Sequence, residues 1–183
     1  MLKLKNTIDE FGAVAKILHW FMAFAIIGML IVGFIMADMQ PSQLKWTTFM
    51  LHKSTGVLLM FLLAIRLVWR LANPTPQLTV NGFKGVFARL SGYVLYAAMA
   101  TMVISGFIMS DAGGYAISFF NMFTIPFVFE KSSELSGIAS QIHTNAAFAM
   151  IGILFLHVLA AFYHHVFLKD SVLVRMLPKK TRR

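Results

Sequence analysis

The sequence predicts an all-α protein, a four-helix transmembrane bundle, on three observations. Of its 183 residues 58% are hydrophobic and only 13% charged, which is more apolar surface than one soluble core can hide. Four apolar stretches approach the ~20 residues that a helix rising ~1.5 Å per residue needs to cross ~30 Å of hydrocarbon. The basic residues gather in alternate connections between those stretches, the charge pattern that orients membrane helices.

The first stretch runs from about Ile17 to Ala37. The segment before it, MLKLKNTIDEFGAVAK, is too long and, with Asp9 and Glu10, too acidic for a signal-peptide n-region, so no cleavage is expected. A polar turn, DMQPSQLKW, breaks helix at Pro41 and Ser42 and leads to the second stretch, about Met50 to Trp69. The connection LANPTPQLTVNGFKG, punctuated by Pro74, Pro76 and Gly82, leads to the third, about Ser91 to Met109. The third connection, about Ser110 to Gln141, is much longer. The aromatics of GGYAISFFNMFTIPFVFE predict a loop on the outer surface or in the membrane interface. The fourth helix is expected over about 141–167, most apolar from Ala146 to Phe167. No internal repeat appears, and residues 1–183 read as a single transmembrane domain.

The N-terminal segment carries Lys3, Lys5 and Lys16, the second connection Arg66, Arg70, Lys84 and Arg89, and the tail Lys169, Arg175, Lys179, Lys180, Arg182 and Arg183. The first connection has Lys45 and Lys53, and the third has Lys131 against Asp111, Glu130 and Glu134. The positive-inside rule therefore puts both termini and the second connection in the cytoplasm, which requires an even number of spans. The net charge of +9 lacks the aromatic-interleaved pattern of a nucleic-acid surface and reads as topology. Cysteine is absent, which excludes disulfides, thiolate-held iron–sulfur clusters and CxxCH haem attachment. Any haem must be held noncovalently. No G-x-G-x-x-G follows a strand pattern, so no nucleotide or flavin motif is visible.

All six histidines, at positions 19, 52, 143, 157, 164 and 165, lie in or at the edge of the expected spans, where an ionisable side chain is costly and usually functional. His19 begins the first helix on the cytoplasmic side, and His52 begins the second on the opposite side. His143 enters the fourth helix from outside, with His157 14 residues further on. That spacing is ~21 Å and just under four turns, so both rings leave nearly the same face. Matching depths pairs His19 with His157 and His52 with His143, each pair drawn from two helices, as bis-imidazole ligation of a flat macrocycle in a bundle requires. From spacing alone zinc, nickel or proton translocation compete with haem. His165 falls off this face and reads as a packing residue, and the 13 methionines read mainly as core and lipid-facing packing.

The chain resembles the bacterial cytochrome b561 family over essentially its whole length. The resemblance rests on LHW at His19 and Trp20, LHKSTG from Leu51 to Gly56, R-L-x-W-R-x-x-N-P-T-P from Arg66 to Pro76, H-x13-H in the last helix, and YHHVFLKDSVLVRM from Tyr163 to Met176. It implies a multi-pass bacterial inner-membrane protein with two haems b, their iron held by His19, His52, His143 and His157. It also implies similarity to superoxide oxidase, which passes electrons from periplasmic superoxide to membrane ubiquinone. His164, seven positions after His157, is on nearly the same face and suits a proton-donating contact to a quinone carbonyl. Trp20 could wall that pocket or anchor at the interface. Lys45, Lys53 and Lys131 could attract superoxide or pair with haem propionates on the outer side, as Arg66, Arg70 and Lys84 could on the inner, where headgroup anchoring would also account for them. Other members of the family serve redox protein partners. The alternatives are therefore a quinol-linked electron-transfer subunit and a histidine-lined metal or proton transporter. Membrane lipid is an expected partner and nucleic acid is not.

Overall fold

The computed structural model describes residues 3–77 and 82–177. Four long helices carry the chain: α1 (Ala13–Asp38), α2 (Gln43–Ala72), α3 (Gly82–Ala112) and α4 (Ser133–Val166). An antiparallel hairpin of β1 (Ile117–Phe119) and β2 (Phe123–Ile125) stands between α3 and α4, and a 3-10 turn at Val174–Met176 follows α4. All four helices are long and apolar enough to cross a membrane, α3 through Arg89–Ala112. In hydrocarbon a helix satisfies its backbone polar groups within the segment, which is why these apolar runs have one available conformation.

Polar residues decide where the helices begin and end. After α1 the chain turns extended at Met39, and Ser42 caps α2 by accepting from Lys45 N at 3.2 Å. Asn73, which precedes Pro74, is extended and ends α2, because proline excludes the helical conformation from the residue before it. Ser132 caps α4 by accepting from Leu135 N at 3.2 Å, with Glu134 at the positive pole of the helix.

The helices begin ahead of the expected stretches: α3 starts at Gly82 instead of near Ser91, and α4 at Ser133 instead of near residue 141. Apolarity marks where hydrocarbon begins, whereas a capped helix continues through polar turns standing clear of it. The 34 residues of α4 extend ~51 Å against a core of ~30 Å. The third connection is correspondingly shorter than expected, and it is built around the hairpin.

That hairpin is fastened to the bundle at two points. Ser54 of α2 is fully buried, and its hydroxyl accepts from Phe120 N at 3.1 Å and lies 2.7 Å from Ser118 O and 2.8 Å from Met50 O, either of which can take its one proton. Phe120 and Asn121 both have positive φ (46° and 62°), and Met122 N donates to Phe119 O at 2.9 Å to close the turn. A phenylalanine is strained there, and the Ser54 contact holds it. On the other side Asp111, also buried, accepts from Phe129 N at 2.8 Å and from Val128 N at 3.1 Å.

At the opposite end, where both ends of the described residues lie, three segments are knitted together. Asn6 donates to Pro74 O at 3.1 Å, Gln77 N donates to Ile8 O at 2.9 Å, and Arg175 donates to Gln77 O at 2.6 Å. Trp20 Nε1 donates to Met176 O at 2.8 Å and Lys16 Nζ to Leu177 O at 3.0 Å. The side chain of Lys84 and tail residues Lys179, Lys180, Arg182 and Arg183 lie outside the described residues.

The buried core is small: Met22, Leu59, Leu63, Met99 and Met150 meet at mid-bundle. Large apolar side chains such as Phe24, Phe148 and Phe155 are instead exposed on the helix exteriors, where lipid is the solvent. Ser54→Ala would leave Phe120 N unsatisfied and remove the donor facing Ser118 O. It is expected to cost about 1–3 kcal/mol and to lower the thermal unfolding midpoint of the detergent-solubilised protein. An unchanged midpoint would mean that other contacts hold the hairpin.

Candidate functional site

One face of α4 organises the interior. His143, Met150, His157 and His164 recur every seven residues, so they lie almost in line along the helix. Each is buried or half-buried, while Phe148, Phe155, Phe162 and His165 on other faces are exposed.

The structure brings together the four histidines that the depth argument paired. His19 of α1 and His157 of α4 have ring centroids 6.3 Å apart with planes at 59°, and His52 of α2 and His143 of α4 have centroids 6.5 Å apart with planes at 81°. Two imidazoles bound to opposite sides of one metal, each with a metal–nitrogen bond of ~2.0–2.1 Å, have centroids roughly 6 Å apart. Each pair can therefore hold a single metal between its rings. Among the described residues no three histidine or carboxylate side chains converge. A metal at either pair would have only two protein ligands, and a planar macrocycle is the group that supplies the other four.

The pair toward the hairpin end opens onto a cavity of about 990 Å³ that reaches down to Met22 and Met150, at the upper end of the range for small-molecule sites. His143 donates from Nδ1 to Met102 O at 3.0 Å, which sets the ring's orientation and leaves Nε2 as the nitrogen that could bind a metal. His52 Nδ1 is buried with no protein partner, unlike a histidine held only for packing. Two glycines give these rings room. A Cβ at Gly106 would come within 2.9 Å of His143 Cε1, and one at Gly33 within 3.4 Å of His52 Cε1. Lys45, Lys53 and Lys131 line the same cavity, and no carboxylate does. Lys53 Nζ donates to Ala116 O at 3.0 Å and Lys45 Nζ to Met39 O at 2.6 Å. The LHKS segment thus does two tasks at once: His52 enters the cavity while Lys53 and Ser54 hold the hairpin segment that covers it.

The pair toward the termini is closed by cations and aromatic rings. Arg66 Nη2 donates to His19 Nδ1 at 2.9 Å, and the guanidinium lies 5.6 Å from the centre of the Tyr96 ring. Arg70 lies 5.5 Å from the same ring and 5.7 Å from that of Tyr93. Trp20 meets His19 edge-on with centroids 5.3 Å apart, so it borders this site as well as anchoring the tail. Arg66 accordingly faces inward to a histidine, a placement that headgroup anchoring does not explain. A guanidinium only donates, so in this arrangement His19 Nδ1 is the acceptor.

Beyond these pairs, His164 donates from Nδ1 to Asp170 Oδ2 at 2.5 Å. The sequence reading singled out His164 but missed Asp170. It likewise gave no role to Ser54, although that residue lies in LHKSTG, counted Asp111 only as a loop charge, and passed over the two glycines. Gly106→Ala is expected to push the His143 ring aside and lower thermal stability by about 1–3 kcal/mol. Gly92→Ala, on the same helix with nothing within 4 Å of its added methyl, should be neutral or stabilising by up to about 1 kcal/mol. Comparing the two melting midpoints checks this, and equal midpoints would mean that the His143 ring is not tightly seated.

With this geometry in view, comparisons with known proteins agree in one direction. A family model described as prokaryotic cytochrome b561 matches residues 10–179. The chain is 30% identical to cytochrome b561 homolog 2 of Escherichia coli (strain K12), covering 98% of this chain and 97% of that protein. It is 27% identical to the probable superoxide oxidase CybB of Yersinia pestis, over 89% of this chain and 93% of that one. Cytochrome b561 homolog 1 of Escherichia coli (strain K12) is 25% identical over 94% of this chain and 99% of its own length.

Proposed function

Because this chain belongs to the prokaryotic cytochrome b561 family of haem b electron-transfer membrane proteins, we propose that it binds two haems b and carries electrons from superoxide outside to ubiquinone within the membrane. One haem is held by His52 and His143, the other by His19 and His157. The observation that carries this reading is the pair of inter-ring spans, 6.3 and 6.5 Å, at two depths of one bundle. When bound, haem supplies one-electron redox chemistry at potentials set by its surroundings.

The residues of the chain do the rest. His143, oriented by Met102 O, presents Nε2 from one helix and His52 faces it from another. At the other pair, were His19 to hold a metal through Nε2, its ring proton would sit on Nδ1 and Arg66, which only donates, would be released from that contact. Arg66 and Arg70 then offer positive charge to the carboxylates of the incoming group. Between the pairs, the core of Met22, Leu59, Leu63, Met99 and Met150 has no titratable side chain. Electrons can tunnel past such side chains, which themselves offer ions and protons no polar group. That favours an electron carrier over a metal or proton transporter.

The direction follows from charge. With the termini and second connection cytoplasmic by the positive-inside rule, the hairpin end is periplasmic. Its cavity is lined by three lysines and no carboxylate, which suits a small anionic donor. The hairpin fastened by Ser54 and Asp111 covers that end, which favours a small reductant over a docked redox protein. The Yersinia pestis relative named a probable superoxide oxidase points to the same donor. Two superoxide ions, one ubiquinone and two protons give two dioxygen molecules and one ubiquinol. The quinone meets His164, which donates a proton from the cytoplasmic side.

His19→Ala and His157→Ala should each leave about one haem per protein, with the spectrum of the other site retained, and His52→Ala or His143→Ala should do the converse. Pyridine haemochrome content and reduced-minus-oxidised spectra measure this. A variant at 19 or 157 that keeps both haems would sink the pairing. Purified protein in vesicles should reduce a ubiquinone analogue when superoxide is generated outside, and should slow as salt screens the lysines. If it stays oxidised under a superoxide flux but is reduced by quinol, the quinol-linked electron-transfer reading replaces this one.

A further inference from the structure

Past the end of α4 the chain reverses sharply. Lys169 takes a left-handed conformation (φ 51°), and Asp170 folds back so that its own N–H donates to His164 O at 3.2 Å. The two carboxylate oxygens then divide their work. Oδ1 accepts from Val172 N at 3.0 Å, which forms a local turn, and Oδ2 accepts from His164 Nδ1 at 2.5 Å. A carboxylate at this point stands at the negative pole of α4, where the helix dipole disfavours an anion. Closing the turn needs only one oxygen, and an asparagine would serve there as well. The second oxygen and the charge are spent on the histidine.

We propose that Asp170 is a positioning residue for His164, fixing the ring's orientation and keeping a proton on Nδ1, so that Nε2 is the nitrogen that faces the quinone and, when it too carries a proton, delivers it. This inference rests on the quinone role given to His164 above. The pairing is the carboxylate–histidine device by which an imidazole is held in one orientation, with a proton kept on the nitrogen that faces the carboxylate. Burial draws the Asp170 carboxyl upward, but the hydrogen bonds from His164 and Val172 N and the charge of Arg175 outweigh it and hold the group below the usual carboxylate range. The carboxylate is therefore ionised at neutral pH and accepts only, which makes His164 Nδ1 the donor. The tail beyond it is tied to α1 through Trp20 and Met176 and through Lys16 and Leu177, and to the second connection through Arg175 and Gln77. Asp170 is thus held at both sides, and the dyad sits on a fixed segment.

The test is single-turnover reoxidation of the reduced holoprotein by a soluble ubiquinone analogue, in the parent, His164→Gln, Asp170→Asn and the double variant. Asp170→Asn keeps the shape of the turn. It should lower the saturating rate about tenfold or more, leave the half-saturating quinone concentration within about twofold, and leave both haem spectra unchanged. In the double variant the rate should be no lower than with His164→Gln alone, because Asp170 acts only through that ring. Asp170→Glu, which retains the charge, should recover part of the rate. A fall that persists in the His164→Gln background, or an Asp170→Asn protein with the parent's rate, would overturn the positioning role while leaving the quinone role of His164 standing. An unchanged rate in His164→Gln itself would overturn both.

Discussion

An imidazole placed in hydrocarbon is costly unless its ring nitrogens find partners, and much of this bundle is arranged around that cost, although His52 Nδ1 is left buried with no protein partner. Four histidines at two depths would be costly side chains for a membrane helix to bury without partners. Each is set across from a second ring on a different helix, at a distance that one metal spans. The paired rings in turn dictate what surrounds them. α3 comes close enough at Gly106 for Met102 O to accept from His143, and a side chain larger than hydrogen at that glycine would collide with the ring. Small residues at helix contacts are the usual means of close approach in membranes; here they make room for an imidazole ring.

The two ends of the bundle solve different problems around the same helix face. At the hairpin end there is a large cavity with basic walls, under a cover held by hydrogen bonds from Ser54 and Asp111. At the terminal end polar and aromatic side chains lie against His19. Arginine, tyrosine and tryptophan side chains close over the pair, and a histidine with a carboxylate behind it lies one heptad further on. Basic access on one side and a held proton donor on the other are what a carrier needs if it accepts electrons from an anion and delivers them with protons. The mid-bundle layer of Met22, Leu59, Leu63, Met99 and Met150 separates the two ends and offers no group on which a proton could rest.

Much of this organisation was legible beforehand because it depends on helical periodicity. Once the spans are recognised, the depth of a residue follows from its position and its face from multiples of the turn. That is why the pairing of His19 with His157 and of His52 with His143 matches the structure. The extent of α4 was not legible in the same way, since its first turns are polar and apolarity does not report on a helix standing outside hydrocarbon. Arg66 was visible as a cation at a helix end, but nothing local distinguishes one that reaches lipid headgroups from one that turns inward to His19.

By itself the sequence determined the number of spans, their alternating charge, the absence of covalent haem attachment and the alignment of histidines on α4. Each of these depends on composition or on a repeat of a few residues. Only the tertiary structure decided which polar groups meet across the chain. Ser54 reaches a strand 64 residues away, Asn6 a carbonyl 68 away and Arg66 a ring 47 away. His164 and Asp170, six positions apart, meet where Lys169 takes a left-handed conformation. Such contacts depend on helix crossings and on single backbone dihedrals, which leave no period in the sequence to read.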